Sequence, residues 1–240
     1  FKVYIGWDGR DAMAYEVCRH SLLRHASVPV QIIPLKDWQL RNARHYWRAY
    51  NVDESGQRWD VRDGKPFSTD FSFTRFTIPI LNEYRDEWVL YGEPDQIWLE
   101  DIAELFELVD PDKSVMCVKH DHRPSERDKM AGLTQTVYRR KNWSSLMLMN
   151  TARCHMLTPY RVNNMTGTWL HGLDWVEEKE IGALPEEWNW LEGWSAEDII
   201  PKLIHFTRGT PDLPGNENAK FADVWRAELA MIGNDVTKAL

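Results

Sequence analysis

At 240 residues the chain is long enough to bury a sizeable core as a single α/β domain spanning 1–240. Its 29 Lys and Arg stand against 37 Asp and Glu, and the formal charge of −8 argues against a nucleic-acid backbone or an anionic membrane as the main partner. Three scattered cysteines, Cys18, Cys117 and Cys154, give neither a disulfide framework nor a zinc knuckle, and no apolar run approaches the ~20 residues of a membrane span. A soluble, cytoplasmic protein with reduced thiols is expected.

Lys2-Val3-Tyr4-Ile5 reads as a first strand, ending in Gly6-Trp7-Asp8-Gly9-Arg10-Asp11. Asp11 is placed to N-cap a helix whose apolar face runs Tyr15, Cys18, Leu22 and Ala26. Strand, polar loop and helix make half of a nucleotide-binding βαβ unit, in which ligands sit beyond the carboxyl ends of the strands, so Asp8 and Arg10 lie where a ligand would. The G-x-G-x-x-G spacing is absent. Residues 28–35 supply a second strand, broken at both ends by Pro29 and Pro34. Over 38–67 the periodicity disappears while Arg41, Arg44, His45, Tyr46, Trp47, Arg48, Tyr50, Arg58, Trp59 and Arg62 crowd together. A long functional loop, or else a solvated surface excursion, is expected there. Its aromatic and Arg content favours contact with a polar, ring-shaped partner.

Residues 72–78 look helical, with Pro79 bending or ending the helix. Arg75 is the one cation of that stretch, suited either to an ion pair with Glu93 or Asp95 or to a donor fork for a phosphate or sugar hydroxyl. Trp88-Val89-Leu90-Tyr91 is an apolar run typical of a buried strand, stopped by Gly92 and Pro94, so that Glu93 and Asp95 are delivered at its end. Two carboxylates so placed can turn toward one cation, Mg²⁺ or Mn²⁺ by their hard oxygen chemistry, or can simply form a solvated turn. Asp101 and Glu104 read as a capping box opening a helix through Ile102, Leu105 and Phe106.

Val115-Met116-Cys117-Val118 and Leu146-Met147-Leu148-Met149 are near-continuous apolar runs, as strands buried on both faces should be. The first ends at Lys119-His120-Asp121-His122, two histidines around an acid with no third ligand at a fixed spacing. Beyond Thr166, Trp169, Trp175, Trp188, Trp190 and Trp194 surround an acidic run, and some of them must be core. Ile204-His205-Phe206-Thr207-Arg208-Gly209 sets a lone His before a Gly turn, either a core side chain or a ligand. Phe221, Val224, Trp225 and Leu229 mark a closing helix.

In this order the pieces resemble the retaining glycosyltransferases of family 8. The specific parts are the first strand with Asp8, Phe73-Thr74-Arg75-Phe76, Leu90-Tyr91-Gly92-Glu93-Pro94-Asp95 with the helix after it, Leu184-Pro185-Glu186-Glu187-Trp188-Asn189, and His205-Phe206-Thr207. The resemblance implies a GT-A fold, a single Rossmann-like mixed sheet flanked by helices. It also implies transfer of a hexose from a UDP-sugar to a glycan or other hydroxyl acceptor, with retention at the anomeric carbon and Mn²⁺ or Mg²⁺ as cofactor. Glu93, Asp95 and His205 would hold the metal. Arg75, Glu93 and Asp95 would be catalytic. Ile5, Gly6, Trp7, Asp8, Arg10, Arg75, Pro94, Thr207, Arg208 and Gly209 would line the donor site, and 38–67 would lie over the acceptor side.

The sequence departs from the family pattern in four places. Glu93-Pro94-Asp95 replaces D-x-D, so the first acid reaches one methylene further and the middle residue has no N–H to offer a ribose. Trp143-Ser144-Ser145 replaces Asn-Ala-Gly, and Glu178-Lys179 falls where an Asp-Gln pair belongs. The Lys-Pro-Trp after the metal His is missing, which leaves Arg208 as the nearby cation. A catalytically silent GT-A domain that binds nucleotide or glycan is the alternative these departures support.

Overall fold

The computed structural model describes residues 1–121, 128–129, 133–134 and 139–238, with side chains for 1–121 and 139–233; His122 lies outside the described residues. The chain opens as a parallel βαβ unit of β1 (Lys2–Gly6), α1 (Ala12–His25) and β2 (Gln31–Leu35). The cap before α1 falls on Asp8, which accepts from Arg10 N at the head of a 3-10 turn over Gly9–Asp11, whereas the Asp11 side chain makes no capping bond. Pro34 sits inside β2 rather than at its end. It is tolerated there because β2 is the last strand of its sheet.

Residues 38–67 are not a loop. They fold into α2 (Asp37–Asn42) and a small antiparallel sheet of β3 (Tyr50–Val52), β4 (Arg58–Asp60) and β5 (Pro66–Phe67). Strands this short carry no visible period. Two arginines of this stretch have structural partners. Arg48 is buried, pairs with Asp60 at 2.6 Å, donates to the carbonyls of Val162 and Met165, and lies over the Phe73 ring at 4.2 Å. Arg41 pairs with Asp37 and donates to the Arg48 carbonyl.

α3 (Phe71–Thr74), a 3-10 turn over Arg75–Thr77 and α4 (Ile78–Leu81) follow, with Pro79 in the first turn of α4, where a missing N–H costs nothing. β6 (Trp88–Gly92) then leads to β7 (Gln96–Trp98) and α5 (Ile102–Glu107). Asp101 caps α5 by accepting from Ala103 N, but Glu104 pairs with Lys202, so only half of the expected box forms. The remaining elements are β8 (Val115–Val118), the pair β9 (Asp128–Lys129) and β10 (Leu133–Thr134), β11 (Leu146–Asn150), α6 (Pro159–Asn164), α7 (Gly167–His171), β12 (Ile181–Leu184), β13 (Trp190–Leu191), β14 (Leu203–His205) and α8 (Ala222–Lys238).

Among the described residues the main sheet has six strands in the order β12-β8-β11-β6-β1-β2, with β11 antiparallel to both neighbours. Both faces are covered. Tyr4, Tyr91, Met147 and Cys117 pack on one side with Phe73, Phe76, Leu170 and Trp175, while Val3, Ile5, Leu90 and Leu148 pack on the other with Tyr15, Cys18, Leu22 and Leu105. This double burial is why the strands read as unbroken apolar runs. A second sheet, β13-β14-β7, has its own core of Ile97, Trp190, Ile204 and Phe206 with Trp225 of α8. All three cysteines are buried and unbridged, and burial pushes the Cys18 and Cys117 thiols up to about 12. No helix among the described residues is long and apolar enough to cross a membrane.

Candidate metal centre

β6 ends on the main sheet at Gly92 and β7 begins on the second sheet at Gln96, so Glu93-Pro94-Asp95 is the passage between the two sheets. β14 runs antiparallel to β7 with His205 opposite Gln96, and Phe206 N donates to the Asp95 carbonyl at 2.9 Å. A histidine far along the chain is thereby set beside the acids. His205 Nε2 lies 3.1 Å from Glu93 Oε2 and 3.4 Å from Asp95 Oδ1. One ligand atom from each of Glu93, Asp95 and His205 lies within 4.8 Å of the others, close enough for all three to hold one ion.

The chemistry of this trio fits a divalent cation. His205 Nε2 and Asp95 Oδ1 are buried with no hydrogen-bond partner, the signature of atoms arranged for something other than each other. Burial alone would lower the His205 imidazole, but Asp95 and Glu93 outweigh it and raise it to about 9. A proton thus takes the place that a metal would fill. Two carboxylates and one imidazole suit Mn²⁺ better than Mg²⁺, because the nitrogen donor favours the softer ion.

Arg75 stands behind Glu93 and is itself buried. Its guanidinium donates to Glu93 Oε1 at 2.6 Å, to the Ser144 carbonyl at 2.7 Å and to the Phe71 carbonyl at 3.2 Å, and it lies 4.8 Å from the centre of the Tyr91 ring. Of the two roles open to it from sequence, the ion pair with Glu93 is the one its geometry displays.

The acids face a cleft open to solvent. Arg75, Glu93, Asp95, Thr207 and Gly209 line it, as do Asp11, Arg140, Lys141, Ser144 and His171. Burial, then Asp95, Asp212 and Asp8, push the Asp11 carboxyl up to about 7. His171 exchanges a 2.9 Å hydrogen bond with Ser144 Oγ, and burial, reinforced by Arg75, holds its imidazole well below the usual histidine range and so neutral. Nothing in the sequence marked His171, because packing against Phe73 and Phe76 is what brings it to the cleft.

The other expected residues lie around this centre without lining the cleft. Ile5 is core, and a Cβ on Gly6 would stand 2.7 Å from the Phe71 ring, so glycine is needed for β1 to pass α3. Asp8 is 1% exposed, and its oxygens accept from the Arg10 guanidinium and from the amides of Arg10 and Asp70. Trp7 lies under Lys36, Pro94 is buried in the passage, and Arg208 stacks on Trp194 at 5.3 Å.

No family model matches the chain. It is 40% identical over 236 residues to Protein CDI of Arabidopsis thaliana, covering 95% of this chain and 86% of that protein. The chain belongs to the Protein CDI family. Solved structures similar to this Protein CDI relative are glycosyltransferases. The apo form of the bifunctional WbbM matches with a TM-score of 0.61 at 16% identity, over 95% of this chain and 49% of that one. GlyE of Streptococcus pneumoniae TIGR4 follows at 0.55 and 18%, over 99% of this chain and 63% of that one. The galactosyltransferase LgtC, described in complex with donor and acceptor sugar analogues, scores 0.54 at 10% identity over 96% of both chains. The Protein CDI relative spans about half of WbbM and under two thirds of GlyE. At these identities the likeness establishes the fold, and that fold is the GT-A arrangement.

Proposed function

We propose that the chain is a metal-dependent glycosyltransferase that moves a hexose from a UDP-sugar to a hydroxyl acceptor with retention of anomeric configuration, using Mn²⁺ or Mg²⁺. The observation that carries this reading is the convergence of Glu93 Oε2, Asp95 Oδ1 and His205 Nε2 at the floor of an open cleft. The glycosyltransferase names of WbbM, GlyE and LgtC support it. The bound cation would offset the charge of the diphosphate and of the departing phosphate oxygen. Glu93, Asp95 and His205 would hold it. Arg75 holds Glu93 Oε1 and so fixes which of its oxygens faces the site, while Arg140 and Lys141 add positive charge at the rim. Neutral His171 leaves the rim free of a further cation.

A second reading, a GT-A fold that binds nucleotide or glycan without turnover, draws on the Arg75–Glu93 pair, which leaves Glu93 one oxygen for a cation. UDP release from a panel of UDP-sugars, with Mn²⁺ and with chelator, separates the two. Mn²⁺-dependent release with at least one donor is expected. Tight Mn²⁺–UDP binding without release from any donor would favour the second reading, and no UDP binding would end both.

A further inference from the structure

Behind the acids, Gln96, Ser145, Asn189 and His205 form one buried network drawn from both sheets, each at most 2% exposed. Its donors and acceptors follow from two groups whose roles are fixed. The Glu93 N–H can only donate, and it meets Gln96 Oε1 at 3.1 Å. Gln96 must then turn Nε2 the other way, where it donates to the Ser145 carbonyl at 3.2 Å and to Asn189 Oδ1 at 3.4 Å. Gly92 makes this possible, since a Cβ there would stand 2.8 Å from Gln96 Oε1. The second line starts from the Asn142 carbonyl, which can only accept and takes the single hydroxyl proton of Ser145 at 2.7 Å. Ser145 Oγ is left to accept, and Asn189 Nδ2 donates to it at 2.9 Å.

Both lines orient the Asn189 amide the same way, with Oδ1 toward His205 Nδ1 at 3.1 Å. An amide oxygen cannot donate, so Nδ1 carries a hydrogen. The neutral ring then has its lone pair on Nε2, aimed at Glu93 and Asp95. We infer that Asn189 is a positioning residue: its amide oxygen selects the His205 tautomer that presents Nε2 to a divalent cation shared with Glu93 and Asp95. The orientation follows from the network alone, and its consequence for the cation rests on the metal reading above. Were Asn189 mere core filling, either amide orientation would satisfy it, yet Gln96 and Ser145 each exclude the reversed one.

The test uses Asn189→Asp, which keeps an acceptor toward Nδ1, and two variants that remove it, Asn189→Ala and the space-filling Asn189→Leu. Calorimetry reads Mn²⁺ affinity, and ¹⁵N-histidine spectra of the metal-free chain, recorded above the pH at which His205 loses its second proton so that the ring is neutral, read an Nδ1–H signal beside an unprotonated Nε2. Loss of a partner that orients a ligating histidine weakens metal binding by about 10–100-fold, so Ala and Leu should fall by that factor and lose the Nδ1–H signal, while Asp stays within about threefold and keeps it. If Asp falls as far as Ala and Leu, or if Ala or Leu binds Mn²⁺ as the native chain does, the positioning role is overturned. A native chain without the Nδ1–H signal refutes the tautomer assignment itself. A native chain that shows the signal but binds no Mn²⁺ upholds the tautomer and overturns the metal reading instead.

Discussion

Replacing Arg75 by Leu tests the centre through stability. The guanidinium makes three hydrogen bonds, one of them its ion pair with Glu93, in a setting where it is 3% and Glu93 8% exposed, so removing it leaves a carboxylate buried without its cation and two carbonyls short of a donor. Breaking a buried pair from one side costs about 3–5 kcal/mol. For a chain of this size each kcal/mol moves the melting temperature by about 2–4 °C, so the variant should melt about 6–20 °C lower. Arg75→Lys keeps a charge but offers a point donor where a fork is needed, and it should lose about 1.5–3 kcal/mol, the worth of one charged hydrogen bond. Combining Arg75→Leu with Glu93→Gln removes the stranded charge and should recover part of the loss. Calorimetric melting and urea titration of the four proteins measure the cycle. A drop of under about 2 °C in Arg75→Leu, or a double variant less stable than the sum of the singles, would refute the buried-pair argument.

Three further outcomes are expected. Asp95→Asn removes charge from the trio and should abolish Mn²⁺-dependent UDP binding, whereas Glu93→Asp, which withdraws its oxygen by about 1.5 Å, should keep Mn²⁺ affinity within about tenfold while lowering turnover; equal loss in both, read by calorimetry, would make Glu93 the equal of Asp95. Gly6→Ala drives a Cβ to within 2.8 Å of Phe71 Cβ, and should cost about 1–3 kcal/mol in urea titration, since that neighbour is too close to its own backbone to swing aside. Burial would raise the Glu228 carboxyl, but Arg24 at 2.6 Å and His20 at 2.5 Å hold it below the usual glutamate value. A lowered folded-state value means stability that is present above about pH 4.5 and is lost as pH falls through the folded value, so the melting difference between native and Glu228→Gln should be level above that pH and shrink below it; a difference that grows on acidification would reverse the assignment.

Four strands of the main sheet were legible because they are buried on both faces, so β1, β6, β8 and β11 read as apolar runs within a residue of their ends, whereas β12 was not read as a strand. Glu93 and Asp95 were legible for the same reason, as the acids that follow such a run. What escaped was structure held by side chains. β3, β4 and β5 are two or three residues long and owe their place to Arg48, Asp60 and Phe73, contacts that leave no period in the sequence. Arg75 was ambiguous because a fork for phosphate and a fork for Glu93 have the same chemistry, and only the fold brings Ser144 and Phe71 within its reach. Asn189 stood in a recognisable stretch with no role, since its role depends on which way an amide faces.

The centre depends most on the register of one short strand. β14 contributes three residues, all buried, and side chains alternate along it, so slipping β14 by one position against β7 would turn an apolar side chain, Ile204 or Phe206, toward Glu93 and Asp95. Three residues cannot fix their own pairing by pattern alone. The register is bracketed from outside instead: Leu99 N donates to the Lys202 carbonyl at 2.9 Å before the strand, and Phe206 N donates to the Asp95 carbonyl at 2.9 Å after it. The apolar neighbours Ile204 and Phe206 are committed to the Trp190 and Trp225 core, so a slip would expose them as well as strand the acids. The packing of the second sheet and the geometry of the candidate metal centre are therefore one specification, and the three ligand atoms are held in place before any ion arrives. A site assembled in advance would not have to order its side chains on binding, which would let two acids and one histidine hold a cation.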